Sequence, residues 1–473
     1  MVFSSITFLL YFLPVFIIIY SLLPKVARNW FILLASILFY SWGAPTFVFL
    51  LLGSTIADYY IVGALYRAEK KSTKRNYLIA SLIMNLGLLA YFKYANFFIE
   101  NVNSALGSLG AEQLVWTEVA LPIGISFYTF QTLTYSIDVY RGVHAPLKQL
   151  HNYLLYIMSF PQMIAGPIVR FNEVADQITD RRHHIDDRIF GFYRFCIGLG
   201  KKVLIANVLG DFAQQMIDTD VSTISSGAAW MGMLAYTFQI YFDFAGYSDM
   251  AIGLGRIMGF HFPENFDNPY TSKSITEFWR RWHITLGTWM KNYLYIPLGG
   301  NRVSSNARLY FNLWFVFLVS GLWHGASWNF VIWGAYHGLF LILDRLFLER
   351  LLNKLGTVLS VAITFFITVV GWTLFSIEDM VHASAYLKRM FSFVNGVDIG
   401  LSNELVFTGV LAILISFFTL SSIGKKLQEW VYADGDLSTL RSLRLLSISA
   451  LLFTLCVAYV TASGFNPFIY FRF

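Results

Sequence analysis

Apolar residues run along this chain in long blocks separated by short polar and basic segments. Such blocks lie near positions 3–23, 29–43, 45–66, 76–98, 118–139, 150–168, 189–217, 225–258, 308–325, 328–348, 356–376, 404–421 and 443–463. Many approach the roughly 20 residues a helix needs to cross hydrocarbon. The pattern predicts an all-α polytopic membrane protein with about eleven transmembrane helices, plus re-entrant or amphipathic ones. The 118–139 and 150–168 blocks carry Pro122, Pro161 and Pro167. Proline removes a ladder donor and clashes with the preceding turn, so broken or re-entrant helices are expected there.

The simple alternation lapses between about 140 and 310, where charged stretches interleave with apolar ones. One stretch, SKSITEFWRRWHITLGTWMKNYLYIPLGGNR (272–302), repeats large apolar residues at a spacing of four: Phe278, Trp282, Leu286 and Met290. On a helix these share a face, while Arg280, Arg281 and Lys291 discourage crossing the bilayer. An amphipathic or re-entrant helix near the cytoplasmic face is expected. No internal repeat or soluble domain stands out. The chain reads as a single integral-membrane domain, 1–473. Residues 1–140 form N-terminal helices, 141–350 a core with re-entrant segments, and 351–473 C-terminal helices. The aromatic tail SGFNPFIYFRF (463–473) is expected to pack at an interface.

Composition sharpens the class. Hydrophobic residues make up 56% and charged residues 13%, about half the charged share of soluble domains. The net charge of +6 resides in short loops, as topology signals do, and is not a nucleic-acid signature. Lys25 and Arg28 follow the first block; Arg67, Lys70, Lys71, Lys74 and Arg75 follow the third. Two spans separate these clusters, so both fit the cytoplasmic side, with the N-terminus outside. The first block has no positive n-region and no small-residue cleavage site, and reads as a retained helix. Cys196 and Cys456 lie far apart in apolar sequence, without disulfide or metal-site spacing.

The candidate chemistry lies in GLWHGASWNFVIWGAYHG (321–338). His324 and His337 sit there in apolar surroundings, among Trp323, Trp328 and Trp333. Ionisable groups are rare in membrane segments and mark function when present. Gly321 and Gly325 bracket His324 and permit close approach of backbone or ligand. A desolvated neutral imidazole suits a general base. His283, in RRWHITLGTW, is its candidate partner, positioning substrate or supplying an N–H to a developing oxyanion. The nearby Arg280, Arg281 and Trp282 are candidates to bind a phosphorylated carrier. A lipid-headgroup role for that basic segment competes with this. His337, thirteen residues from His324, is expected to make a structural hydrogen bond. Asp243 and Asp249 lie in YFDFAGYSDMAIGLGRIMGF (241–260), where pairing with basic residues is expected.

A GxSxG elbow, a Walker A loop, a GxGxxG turn and an HExxH zinc site are all missing from the sequence. Without an obvious nucleophile, a base acting on an already activated donor is the better fit.

Four motifs together resemble a known group: WHG (323–325), RRWHITL (280–286), YFDFAGYSDMAIG (241–253) and ENFDNPY (264–270). They look like the membrane-bound O-acyltransferase (MBOAT) superfamily. The opening MVFSSITFLLYFLPVF, FPQMIAGPIVRF (160–171) and the closing NPFIYFRF are similar to its bacterial alginate O-acetylase membrane-subunit branch. The resemblance implies a helical ring around a central funnel, with His324 catalytic and His283 its partner. It implies transfer of an acetyl group from cytoplasmic acetyl-CoA, a substrate and not a resident cofactor, across a bacterial inner membrane. The acceptor would be a hydroxyl or a periplasmic acetyltransferase-like partner serving polysaccharide O-acetylation. Membrane lipids are expected neighbours, and metal and nucleic acid are not expected. Three readings compete: D-alanyl transfer to teichoic acid, or acetylation of another polymer such as peptidoglycan; a proton-coupled transporter using His283, His324, Asp243 and Asp249; and a scaffold of an export complex.

Overall fold

The computed structural model describes residues 1–397, 400–433, 435 and 437–463. All but the first residue of the aromatic tail therefore lies outside the described residues. Among those described, the chain is helical, with two isolated β-bridges, Ile224 to Val397 and Phe266 to Trp282. Six helices among the described residues are long and apolar enough to cross a membrane: Phe47–Arg67, Lys71–Ser108, Trp328–Leu355, Thr357–Ser376, Asn403–Leu420 and Thr439–Ser463. The expected all-α polytopic architecture is thus present. Some of the blocks expected to span form shorter helices, among them Thr7–Leu22.

The chain divides into two compact units: Met1–Arg188 with Leu254–Pro263, and Ile189–Gly253 with Glu264–Phe473. These boundaries differ from the sequence divisions at 140 and 350.

In the first unit, the two proline-bearing blocks form interior structure. Ile125–Arg141 is helical and buried on nearly every face. The chain then forms a short helix, Leu150–Met158, before 159–169 runs irregularly and fully buried. Irregular backbone at membrane depth is tolerated only when enclosed by protein, so the breaks expected from proline are real. Gly124 starts the Ile125 helix at φ +77°, and a Cβ there would lie 2.8 Å from the Met163 carbonyl. Only glycine meets both conditions. The buried Asp58 carboxylate accepts hydrogen bonds from Ser81 (2.5 Å), Tyr153 (2.7 Å) and Asn85 (2.9 Å). These donors, two from the Lys71–Leu89 helix and one from Leu150–Met158, offset its desolvation and tie both helices to Phe47–Arg67.

In the second unit, Asn306–His324 and Trp328–Leu343 form a tight antiparallel hairpin. Its glycines have a packing cause. A Cβ on Gly321 would collide with the Phe330 carbonyl, and one on Gly338 would lie 2.9 Å from the Trp314 ring. Small residues let helix backbones approach this closely. Gly334, whose Cβ would lie 2.5 Å from the Phe317 carbonyl, supplies a test. Gly334→Val should destabilise the protein by about 1–3 kcal/mol or more, read as a lower unfolding temperature in detergent. An unchanged transition would show that this contact is soft.

The Ile185–Gly200 and Ser226–Ile257 helices cross at a similar small-residue contact. A Cβ on Gly246 would lie 2.7 Å from the Gly198 carbonyl. At this crossing Lys202 pairs with Asp243 at 2.7 Å. Arg194 and Lys201 each reach Asp249 at 2.7 Å. Both aspartates therefore have the basic partners expected of them. Cys196 and Cys456 are free and buried.

Candidate active site: two buried imidazoles beside a cavity

The second unit brings His283 and His324 together. Their ring centroids lie 6.4 Å apart, and the residues are 1% and 4% exposed. His324 is the last residue of its helix; the chain turns out at Gly325 and re-enters at Trp328. Extended backbone at Gly325 packs against the Phe330 ring, where a Cβ would collide. Around His324 stand Trp323, Trp333 and Phe375, with centroids at 5.0, 5.2 and 5.4 Å. This apolar cage comes from both helices of the hairpin and from the Thr357–Ser376 helix.

His283 arises from a break that helical periodicity does not show. The expected continuous amphipathic helix is two short ones, Ile275–Arg281 and Ile284–Met290. His283 lies between them in the left-handed region, φ +45° and ψ +52°. Such backbone in a non-glycine residue costs of order 1–3 kcal/mol and persists where surroundings over-determine it. Here Trp282 is held by the bridge to Phe266, and the Ile284 N–H donates to the Asn265 carbonyl at 3.0 Å. Phe278, Trp282, Leu286 and Met290 are all buried, so the spacing identified core positions while missing the kink.

Asn265 is the residue the sequence reading passed over. It is 1% exposed, and its Oδ1 lies 3.1 Å from His283 Nδ1. The same oxygen accepts from the Thr285 hydroxyl at 2.9 Å, and its Nδ2 donates to the Ser248 hydroxyl at 3.0 Å. Phe244 stacks edge-on against the imidazole at 4.6 Å. Its place in ENFDNPY, a few residues before RRWHITL, was the available signal.

Burial lowers the pKa of His283 to about 3, through desolvation of the charged form. The folded value lies below the ordinary one. The unfolded chain therefore binds a proton that the folded chain refuses as pH falls below about 6.5. Stability from this group is lost on acidification and reaches its limit near pH 3. At neutral pH His283 is uncharged, the form in which imidazole accepts a proton.

A cavity of about 930 Å³ is lined by Asn265, the hydrogen-bond partner of His283, and by Ile284, its chain neighbour, with neither imidazole itself in the lining. Ser248, Tyr241 and the Arg194–Asp249–Glu264 cluster line part of it, and Leu411, Leu414 and Ile415 form an aliphatic wall. Arg194 binds Glu264 in a fork, at 2.9 and 2.6 Å. The volume falls in the range of small-molecule sites.

The other candidates sit elsewhere. Arg281 is engaged by Glu277 at 2.8 Å and by Asp267 at 3.7 Å, and Arg280 is exposed. Trp282, 1% exposed, packs on Trp372 with centroids 4.8 Å apart. None of these three lines the cavity. His337, 0% exposed, lies in the helix after His324, and its Nδ1 accepts from Trp279 Nε1 at 3.3 Å. That is the structural bond expected of it. His337→Phe should keep turnover and cost about 1 kcal/mol of stability; loss of turnover in a protein of normal stability would place His337 in the chemistry.

Helical membrane architecture with two buried imidazoles brought together narrows the possibilities, and comparison with known proteins gives the class. The profile of the MBOAT, membrane-bound O-acyltransferase family, matches residues 76–378, and this chain belongs to that family. It is 41% identical over the full length of both chains to the probable alginate O-acetylase AlgI of Pseudomonas putida. To the Pseudomonas aeruginosa protein of the same name it is 46% identical, over 83% of this chain and 75% of the relative. The peptidoglycan O-acetyltransferase of Helicobacter pylori is 36% identical, over 84% and 81%. The chain is therefore a multi-pass membrane O-acyltransferase, which sets the transporter and scaffold readings aside.

Proposed function

We propose that this protein transfers an acetyl group from acetyl-CoA to a hydroxyl for O-acetylation of an alginate-type exopolysaccharide. The observation that carries the reading is the placement of two buried imidazoles 6.4 Å apart, one of them bonded to Asn265 in the wall of a cavity of about 930 Å³. A thioester is already activated, so no enzyme nucleophile is required. One imidazole removes the proton of the incoming hydroxyl while the other polarises the reacting groups, roles typically worth about 10²–10⁴-fold each. The mixed lining of the cavity suits the amide-and-alkyl arm of a thioester carrier.

The donor is proposed to enter from the cytoplasm and the acceptor to lie across the inner membrane, with the N-terminus periplasmic. This orientation rests on the basic loops after the first and third apolar blocks. A periplasmic acetyltransferase-like protein is the proposed next carrier. The Helicobacter pylori relative favours one alternative acceptor, peptidoglycan.

The test uses protein in lipid nanodiscs with radiolabelled acetyl-CoA, with and without periplasmic extract. Thioester consumption and label on an extract polymer or protein are expected. No consumption by folded protein, with D-alanyl carrier substrates accepted instead, would move the assignment to D-alanyl transfer.

A further inference from the structure

We infer that Asn265 is a positioning residue: it holds His283 in the tautomer protonated at Nδ1, so that Nε2 is the ring's hydrogen-bond acceptor for the incoming hydroxyl. The inference rests on the acyl-transfer reading and divides the labour between its two imidazoles.

The hydrogen-bond geometry fixes the direction of each bond. An Asn amide can be turned end for end, so its orientation must be argued from partners. The Thr285 backbone N–H, which can only donate, points at the Asn265 side-chain oxygen position at 3.3 Å. That atom must be an acceptor and is therefore Oδ1. The Thr285 hydroxyl then donates to it at 2.9 Å, and the opposite end, Nδ2, donates to Ser248 at 3.0 Å. An imidazole nitrogen 3.1 Å from this carbonyl oxygen must itself carry hydrogen, since two facing acceptors repel. In a neutral ring, one nitrogen donates and the other accepts. With Nδ1 committed to Asn265, Nε2 carries the lone pair.

The rest of the fold keeps that lone pair available. His283 is 1% exposed, and Nε2 has no hydrogen-bond partner among the described residues. Left-handed backbone at 283 and the Ile284–Asn265 backbone bond orient the ring. Facing it are Phe244 from the Ser226–Ile257 helix, and Trp323 and His324 from the hairpin. On the flanking segments Arg281 is paired with Glu277 and Asp267. Asn265 also lines the cavity, so the clamp ties the ring to the cavity wall through its Nδ1 side.

This replaces the sequence expectation that His283 is the N–H donor. In the proposed step the hydroxyl O–H bond breaks and an N–H bond forms on His324. The oxygen pair attacks the thioester carbonyl carbon, the C–S bond breaks, and the departing thiolate takes the proton from the His324 imidazolium. His283 is left to orient the hydroxyl through Nε2.

The experiment combines two readouts on full-length protein in nanodiscs. Nitrogen-15 magnetic resonance of histidine-labelled protein, with His283→Gln used to identify the signal, reads the tautomer without turnover. Protonated Nδ1 and bare Nε2 are expected, and mixed or reversed tautomers in Asn265→Leu. A wild-type signal from protonated Nε2 would overturn the inference. Asn265→Leu should lower kcat about 10–100-fold, as for loss of outer partners that orient an imidazole. Asn265→Asp keeps the acceptor and adds negative charge, so it should restore much of kcat and move the acid limb of the kcat/KM profile to higher pH. An unmoved limb in Asn265→Asp, with turnover merely reduced, would reduce Asn265 to a packing role. Failure of the acyl-transfer reading would show separately, as absent turnover in wild type whatever the tautomer.

Discussion

Replacing His324 with Ala should leave a folded, membrane-inserted protein with turnover reduced by at least about 10²-fold. The imidazole is caged by Trp323, Trp333 and Phe375, and none of these contacts depends on its charge. The helix around it is held by glycine-mediated hairpin packing at Gly321 and Gly334, contacts that do not involve the ring itself. Loss of the ring leaves a small apolar void, whose cost falls within the ordinary range for buried truncations. The measurement pairs acetyl transfer in nanodiscs with a thermal unfolding scan. Near-normal unfolding with lost turnover supports a catalytic His324. Normal turnover would remove it from the chemistry, and parallel loss of fold and activity would assign the residue to packing.

Asp249→Ala should be the most destabilising single change in the second unit, at about 3–5 kcal/mol. Its carboxylate holds Arg194 through one oxygen and Lys201 through the other, each at 2.7 Å. Arg194 keeps Glu264 as a partner, and Lys201 keeps a hydrogen bond from its ammonium to Tyr432 at 3.0 Å. Largely buried Lys201 would nevertheless lose the carboxylate it is paired with. An uncompensated buried charge is costly because the surroundings cannot reorganise around it as water does. The change also alters one wall of the cavity, so donor affinity should weaken alongside stability. A large fall in unfolding temperature in detergent is expected, and Asp249→Asn should recover only part of it. A variant as stable as wild type would show that the cations find water at the cavity edge and that the cluster serves binding alone.

Much of this was legible along the chain. His324 declared itself because a titratable ring within an apolar run is costly, and its flanking glycines marked a close approach. Proline in 118–139 and 150–168 announced the buried irregular segment at 159–169, since a missing N–H leaves little choice of backbone. Asp243 and Asp249 were expected to have basic partners because unpaired carboxylates do not survive in low dielectric. Less legible were the loop arginines: Arg280, Arg281 and Trp282 had the right chemistry for a carrier. Packing instead engaged Arg281 in ion pairs and buried Trp282.

By itself, the sequence determined the membrane class, the helical elements and the histidines worth attention, because hydrophobic period and the cost of buried charge are local properties. The tertiary structure alone decided how those histidines are placed. The kink at His283, its 6.4 Å approach to His324 and its bond to Asn265 join segments whose sequence separation carries no periodic signal. A four-residue apolar spacing is satisfied equally by one helix or by two meeting at a left-handed residue. Only the bridge from Phe266 to Trp282 and the Asn265 contacts, made across the folded chain, select the second.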